Sequence, residues 1–290
     1  MSPSQSEVGI LQRVILKHVR DAFMNEDAIA REWRDLNFTS APDWSRAIDE
    51  YDRFVDIVSS TGAAVDFLPK STTTGMDSVY VRDASLITNR GAILCRMGKT
   101  QREDEPRAQE AALRDWGIPV LGAIQAPGRL EGGDVVWLDA HTIAVGRGYR
   151  TNAEGIQQLH DLLGNDVDEV IAVALPHWRG PSDVFHLMSI ISPVDTDLAV
   201  IYSPLMSVPF RERLVDRGMT LIEVPDDEFA SMGTNVLAIA PRTCVMVAGN
   251  PTTRSALEHA GAEVLEYDGA EISLKGGGGP TCLTRPVVRE

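Results

Sequence analysis

The chain has 290 residues, 43% hydrophobic and 24% charged, an ordinary balance for a soluble globular protein with material for a large core. Its formal net charge of −15 argues against nucleic acid and anionic membrane as partners, since both attract basic patches, while a local basic pocket for a small anion or zwitterion stays open. The cysteines Cys95, Cys244 and Cys282 have no paired spacing, which speaks against a disulfide framework or a zinc knuckle and fits a reducing compartment.

The polar, acidic start after Met1 has no apolar targeting segment, and no apolar run approaches the length of a membrane span, so cytoplasm is the expected location. Residues 1–10 read as a frayed start and Arg13–Lys17 as a strand. Glu26–Trp33 has the makings of a helical turn, broken by Asn37–Pro42. Asp43 or Ser45 caps a helix running to about Ser60, in which Ala47, Tyr51, Phe54, Val55 and Val58 recur at helical spacing. Gly62 ends it, and Ala64–Leu68 is a strand.

A repeated unit follows. A polar residue opens a strand, a turn and a second strand, and a helix and a further strand come next. Asp83 opens Ala84–Thr88 and Ala92–Arg96; Asp134 opens Val135–Leu138 and Thr142–Val145. His186 opens Leu187–Ile191 and Leu198–Tyr202; Asn235 opens Val236–Ala240 and Thr243–Ala248. Pro106–Trp116, Asn152–Leu163, Phe210–Arg217 and Pro251–Ala260 read as helices, followed by strands at Pro119–Leu121, Glu169–Val173, Leu221–Val224 and Glu263–Glu266. Cys282 opens a last strand whose expected partner is Arg13–Lys17. The openers recur about every fifty residues, a spacing near the upper end of repeat periods. Five such units can close into a ring that ties the chain ends together and gathers all five openers at one end of an axis; the alternative is an open doubly wound sheet.

The stretch Lys275-Gly276-Gly277-Gly278-Gly279-Pro280-Thr281-Cys282 lets a backbone pass close to bulk or adopt positive φ, and ends on a soft nucleophile. Together with Asp83, Glu131 or Asp134, and His186, it supplies a nucleophile, a base and carboxylates. Carboxylates suit a cationic substrate but oppose a thiolate, so a cation has to share the site: the histidine, the substrate, or both. Read singly, each residue has a plain structural explanation: a core histidine beside Phe185, a surface Arg82–Asp83 pair, a tight turn at Gly132-Gly133.

Met76-Asp77-Ser78-Val79-Tyr80-Val81-Arg82-Asp83, Glu131-Gly132-Gly133-Asp134, Gly146-Arg147-Gly148-Tyr149-Arg150-Thr151-Asn152, His186-Leu187 and Gly278-Gly279-Pro280-Thr281-Cys282 resemble the guanidine-modifying superfamily of arginine deiminases, arginine amidinotransferases and dimethylarginine dimethylaminohydrolases. The resemblance runs from about Arg13 to Cys282 and rests on motif order and spacing. It implies one α/β catalytic domain over 1–290, built as a five-bladed ββαβ propeller with pseudo-fivefold symmetry. It implies Cys282 as nucleophile, His186 as general acid and then base, and Glu131 and Asp83 as carboxylates gripping the guanidinium. Asp77 matches a polar position near the substrate, and Arg102 and Arg150 match cations that would meet a substrate carboxylate, for which a forked guanidinium suits. No metal and no organic cofactor is implied. The implied partner is a small guanidino compound, and a homo-oligomer is left open.

Deiminases and amidinotransferases usually carry an aspartate two residues after the histidine; here Met188 stands there, as the dimethylarginine hydrolases also lack that aspartate. On a strand, positions i and i+2 share a face, so Met188 would look into the site beside His186 and favour an N-alkylated guanidine. Arg82-Asp83, in contrast, is closer to the deiminase pattern. The leading expectation is a cysteine-dependent hydrolase of an Nω-substituted arginine such as dimethylarginine, giving citrulline and an amine. Arginine deimination, amidino transfer and an inactive guanidino-binding protein are the alternatives.

Overall fold

The computed structural model describes residues 4–183 and 185–290. Its strands are β1 (Leu11–Leu16), β2 (Ala64–Phe67), β3 (Ser85–Thr88), β4 (Gly91–Leu94), β5 (Val120–Ala123), β6 (Val135–Trp137), β7 (Thr142–Arg147), β8 (Glu169–Ala174), β9 (Ile191–Asp195), β10 (Leu198–Ile201), β11 (Thr220–Glu223), β12 (Leu237–Ala240), β13 (Thr243–Val247), β14 (Glu263–Tyr267) and β15 (Arg285–Arg289). They form five separate three-stranded sheets, ordered β15-β1-β2, β3-β4-β5, β6-β7-β8, β9-β10-β11 and β12-β13-β14, rather than one open sheet. In each, an antiparallel pair is followed by a parallel third strand. A parallel neighbour needs a crossover, and a helix supplies it: Trp44–Ser59, Glu105–Asp115, Ala153–Leu163, Val208–Asp216 and Pro251–His259.

The local chemistry accounts for these elements. Asp43 caps the first crossover helix by accepting from the Arg46 amide, and Asn152 caps the third by accepting from Gly155. Inner strands are apolar on both faces because each lies between two cores. Leu86 and Ile93 pack in a cluster with Val135 and Ile143, while their neighbours Ile87, Ala92 and Leu94 pack with Ile15 and Leu113. Such fully buried side chains each contribute about 1.5–3 kcal/mol. The expected pairing of the chain ends is present, with Val14 opposite Pro286 and Ile15 opposite Arg285.

The starts of the five sheets, in the turn before the first strand or in that strand itself, are stitched to one another in sequence order. Gly133 N donates to Asp83 Oδ1 (3.0 Å) and Leu187 N to Asp134 Oδ1 (3.0 Å). Ser192 Oγ donates to Thr234 O (2.7 Å) and Thr281 N to Asn235 Oδ1 (3.0 Å). Arg82 N donates to Cys282 O (3.2 Å), which brings the last turn back to the first.

One expectation needs correction. The openers do not begin strands directly: Asp83 and Asp134 lie in 3-10 turns, Val81–Ala84 and Gly132–Asp134, and His186 caps a third, Leu187–Ser189. The strand after His186 starts at Ile191 and the one after Cys282 at Arg285. The cause at His186 is a tight turn in which its amide donates to Ser189 Oγ (3.1 Å) and the Ser189 amide donates to the His186 carbonyl (2.9 Å). The strand alternation used for Met188 therefore does not apply. The glycine run serves both expected purposes, with left-handed φ at Gly277 (+76°) and close approach at its neighbours. A Cβ on Gly276 would sit 1.9 Å from the Tyr80 hydroxyl, and one on Gly279 2.5 Å from Asn235 Oδ1, so these glycines serve close approach. Among the described residues, no helix is long and apolar enough to cross a membrane.

Candidate active site

Cys282, half-buried, is the cysteine that reaches a cavity; Cys95 and Cys244 are enclosed in the core. Burial pushes the Cys244 thiol up to about 12 and Cys95 well above its usual range. Cys282 is also raised, by burial and then by the Asp83 charge, with hydrogen bonds from Thr281 and Asn235 acting the other way. Asn235 Nδ2 lies 3.6 Å from its sulfur, and Asn235 Oδ1 accepts from both Thr281 N and Thr281 Oγ1, which fixes the amide's orientation. Arg82, buried beneath, donates Nε to Thr281 O (2.7 Å) and Thr284 O (3.2 Å) and holds the nucleophile turn from behind.

His186 Nε2 is 2.6 Å from Glu131 Oε2, and its Nδ1 lies 4.0 Å from Asp83 Oδ1. Glu131 is fully buried and accepts from the Gly98 (2.8 Å) and Lys99 (3.3 Å) amides, with Arg150 Nη1 at 3.4 Å. Burial works against its charge, but the hydrogen bond to His186 and the charges of His186 and Arg150 hold it well below the usual carboxylate range. Burial alone would lower His186 too; Asp83, Asp134 and Glu131 instead raise it to about 9, so the imidazolium is the neutral-pH form. Asp134, raised by burial to about 6, holds the Leu187 amide and so sets the turn that carries the histidine.

A second cluster flanks the first. Asp83 accepts from Arg102 Nη1 (2.6 Å), and Arg102 Nη2 also reaches Glu105 (2.8 Å) and the Tyr80 carbonyl (2.9 Å). Asp77 pairs with Lys99 Nζ at 2.6 Å. Arg102 and Arg150, expected to meet a substrate carboxylate, thus already have carboxylate partners of the protein's own, while lining a narrow cleft of about 20 Å³ with Asp77, Asp83, Lys99 and Cys282. Met188 is 2% exposed, belongs to the core around Val136 and Leu198, and touches a second, larger cavity that also reaches His186 and Cys282. Cys282, His186, Asp77, Asp83, Arg102, Arg150 and Met188 thus line one or other of these two cavities, while Glu131 lines neither and lies buried behind His186 and Arg150. Lys99, Asn235 and Glu105 are participants the residue pattern did not assign, though Asn235 carried a signal as one of the five openers.

Asp83, Glu131 and His186 offer donor atoms within 4.8 Å of one another, the spacing a metal ion would use. Those atoms are committed elsewhere: Asp83 to Arg102 and Gly133, Glu131 and His186 to each other. The set is built to hold a proton. Chemically the arrangement presents a thiol, an imidazolium and buried carboxylates around one point, which suits attack on a planar cation and protonation of what departs.

The sequence profile of the family described as "N,N dimethylarginine dimethylhydrolase, eukaryotic" matches residues 20–289. A Bacillus subtilis (strain 168) protein, YkgA, is 30% identical over 98% of this chain and 94% of its own length. The N(G),N(G)-dimethylarginine dimethylaminohydrolase of Pseudomonas aeruginosa is 28% identical over 84% of this chain and 89% of its own. A solved structure of that Pseudomonas aeruginosa enzyme, a cysteine-to-serine variant complexed with citrulline, superposes with a TM-score of 0.77 at 24% identity, covering 97% of this chain and 100% of that one.

Proposed function

Because this chain belongs to the N,N-dimethylarginine dimethylhydrolase family, and so to the hydrolases of amidine and guanidine C–N bonds, we propose that it hydrolyses an Nω-alkylated arginine through a covalent intermediate on Cys282. The observation that carries this reading is one cleft lined by Cys282, His186 and Asp83, with Glu131 buried behind the histidine and bonded to it.

In the proposed reaction the carboxylates hold the guanidinium charged and oriented, and the Cys282 thiolate attacks its central carbon. The raised thiol value means that the arriving cation assists ionisation. The C–N bond to the substituted nitrogen breaks as His186 gives its proton to the departing amine, leaving a thiouronium on Cys282. His186, now neutral, takes a proton from water and is restored as the imidazolium; hydroxide adds to the same carbon, the C–S bond breaks, the hydroxyl proton passes to solvent or the released amine, and citrulline and the thiolate result. Asn235 Nδ2 supplies a hydrogen bond to sulfur in both thiolate states. No cofactor enters the scheme.

The five sheets, on this reading, are blades of one propeller with pseudo-fivefold symmetry in a single catalytic domain spanning 1–290. The chain of hydrogen bonds from Asp83 to Asp134, His186, Asn235 and Cys282 and back to Arg82 supports it. Met188 favours an alkylated substrate over free arginine, since its thioether offers a bare NH2 only a weak acceptor where an aspartate would offer a strong one. The test is a panel of guanidines incubated with the protein, with released amines identified by mass spectrometry. Dimethylamine from asymmetric dimethylarginine is expected; ammonia alone means deimination, a transferred amidine means a transferase, and no product means a binding protein.

A further inference from the structure

The reacting sulfur stands between two unlike chambers. On one side is the cleft of Asp77, Asp83, Lys99, Arg102 and Arg150, about 20 Å³ in volume. On the other is a cavity of about 230 Å³ whose walls are mostly apolar. Resting on the guanidine-hydrolase reading above, we infer that this larger chamber is a subsite for an apolar substituent of aromatic-ring size on the nitrogen of the reacting guanidinium.

The walls carry the argument. Trp178, Phe185, Phe229 and Met232 are large apolar side chains left half-exposed around a concavity, and Met188 is buried beneath them. Trp178 lies 5.5 Å, centroid to centroid, from both Phe185 and Phe229, and Phe229 stacks on Tyr202 at 3.9 Å. Trp178 adopts φ +41°, a conformation that bulky residues rarely take and that must be held by its surroundings. The Arg179 guanidinium lies 4.2 Å over its ring, and the two phenylalanines pack against it. A strained tryptophan that keeps its ring part-wet and facing two others is a surface built to be covered.

Size and polarity select the occupant. An apolar cavity of roughly 150 Å³ takes a benzene ring, so this chamber takes one with room for its linking carbon, whereas two methyl groups would leave most of it to water against aromatic faces. The walls also carry Asp183, Ser182, Asn37 and Arg179, whose guanidinium lies over the Trp178 ring, but most of their area is apolar and suits a ring better than an ammonium and a carboxylate. The Lys275 ammonium on its rim is already bound to Glu271 (2.5 Å) and the Ala41 carbonyl. The charged groups of the narrow cleft, each with a partner of its own, lie across the sulfur. Because His186 borders both chambers, a substituted nitrogen pointing into the apolar one stays beside the group that protonates it.

The experiment compares kcat/KM for Nω-benzylarginine and asymmetric dimethylarginine, with benzylamine and dimethylamine quantified as products, in the native protein, Trp178→Ala and Phe229→Leu. The expected result is a ratio of at least tenfold in favour of the benzyl compound, narrowed about tenfold by either substitution. The two substitutions lie on different elements, so loss of one variant to misfolding leaves the other. A native preference for dimethylarginine, or a ratio unmoved by both changes, overturns the subsite while leaving the hydrolase reading standing. Absence of any released amine from either compound overturns both.

Discussion

The two sides of Cys282 are built on opposite principles. Toward Glu131, Asp83 and Arg102 every charge has a partner within hydrogen-bond reach, and the cleft is narrow. Toward Trp178 and Phe229 the wall is apolar, half-exposed and roomy. A pre-satisfied charged side costs little reorganisation during reaction and recognises what all guanidines share, the planar cation. An open apolar side leaves that cation's substituents as the variable, so chemistry and selectivity reside on different faces of one sulfur.

Substitutions at the sulfur and on the charged side should have the largest effects. Cys282→Ser removes the nucleophile from both sides at once; turnover should fall beyond detection while substrate binding, read by calorimetry, stays within a few-fold. Wild-type-like turnover would rule the mechanism out. Glu131→Gln keeps shape and deletes the charge that helps hold His186 at about 9. General acid catalysis is worth roughly 10²–10⁴-fold, and a loss in kcat of that order is expected, with the alkaline limb of the pH–rate profile moving to lower pH. In the native protein that limb should lie near pH 9, since activity needs the imidazolium and is lost as pH rises through its titration. Alkylation of Cys282 without substrate should accelerate only above the ordinary thiol range, because burial and Asp83 oppose the thiolate.

Arg102→Ala breaks a buried pair and strands Asp83 and Glu105, so a loss of about 3–5 kcal/mol in stability is expected by denaturant titration, together with lower activity on every guanidine. Arg150→Ala leaves Glu131 its amide donors, and should weaken α-amino-acid substrates more than decarboxylated analogues. Equal losses on both would make Arg150 purely structural. The smallest change belongs to the apolar side. Met188→Asp gives a bare NH2 an acceptor, and an unpaired buried donor costs about 1–3 kcal/mol, so the dimethylarginine-to-arginine ratio of kcat/KM should fall by roughly tenfold to a hundredfold. An unmoved ratio would mean that Met188 acts only in the core.

Much of this site was readable because each sheet repeats one grammar. A polar residue stands just ahead of each unit's first strand, and repetition alone brings Asp83, His186, Asn235 and Cys282 to one place. What stayed hidden depends on geometry finer than a period. The Glu131–His186 contact joins residues 55 apart and could not be told from an Asp134–His186 one, because both carboxylates sit in the same four-residue turn. Lys99 follows Gly98 in a loop with no periodic position, yet its ammonium neutralises Asp77. Met188 was placed by strand alternation, while the 3-10 turn set by Ser189 gives it a different direction. The aromatic chamber is drawn from loops and turns far apart in the chain, and nothing in their local patterns links Trp178 to Phe229.

The most direct measurement of the central claim is rapid quenching of the protein with asymmetric dimethylarginine, followed by intact mass and peptide mapping. The account predicts a thiouronium adduct on Cys282 alone, formed with stoichiometric dimethylamine and converted to citrulline as the adduct decays. Dimethylamine released with no adduct at any time in the wild type and unimpaired in Cys282→Ser, or an adduct mapped to Cys95 or Cys244, would contradict it.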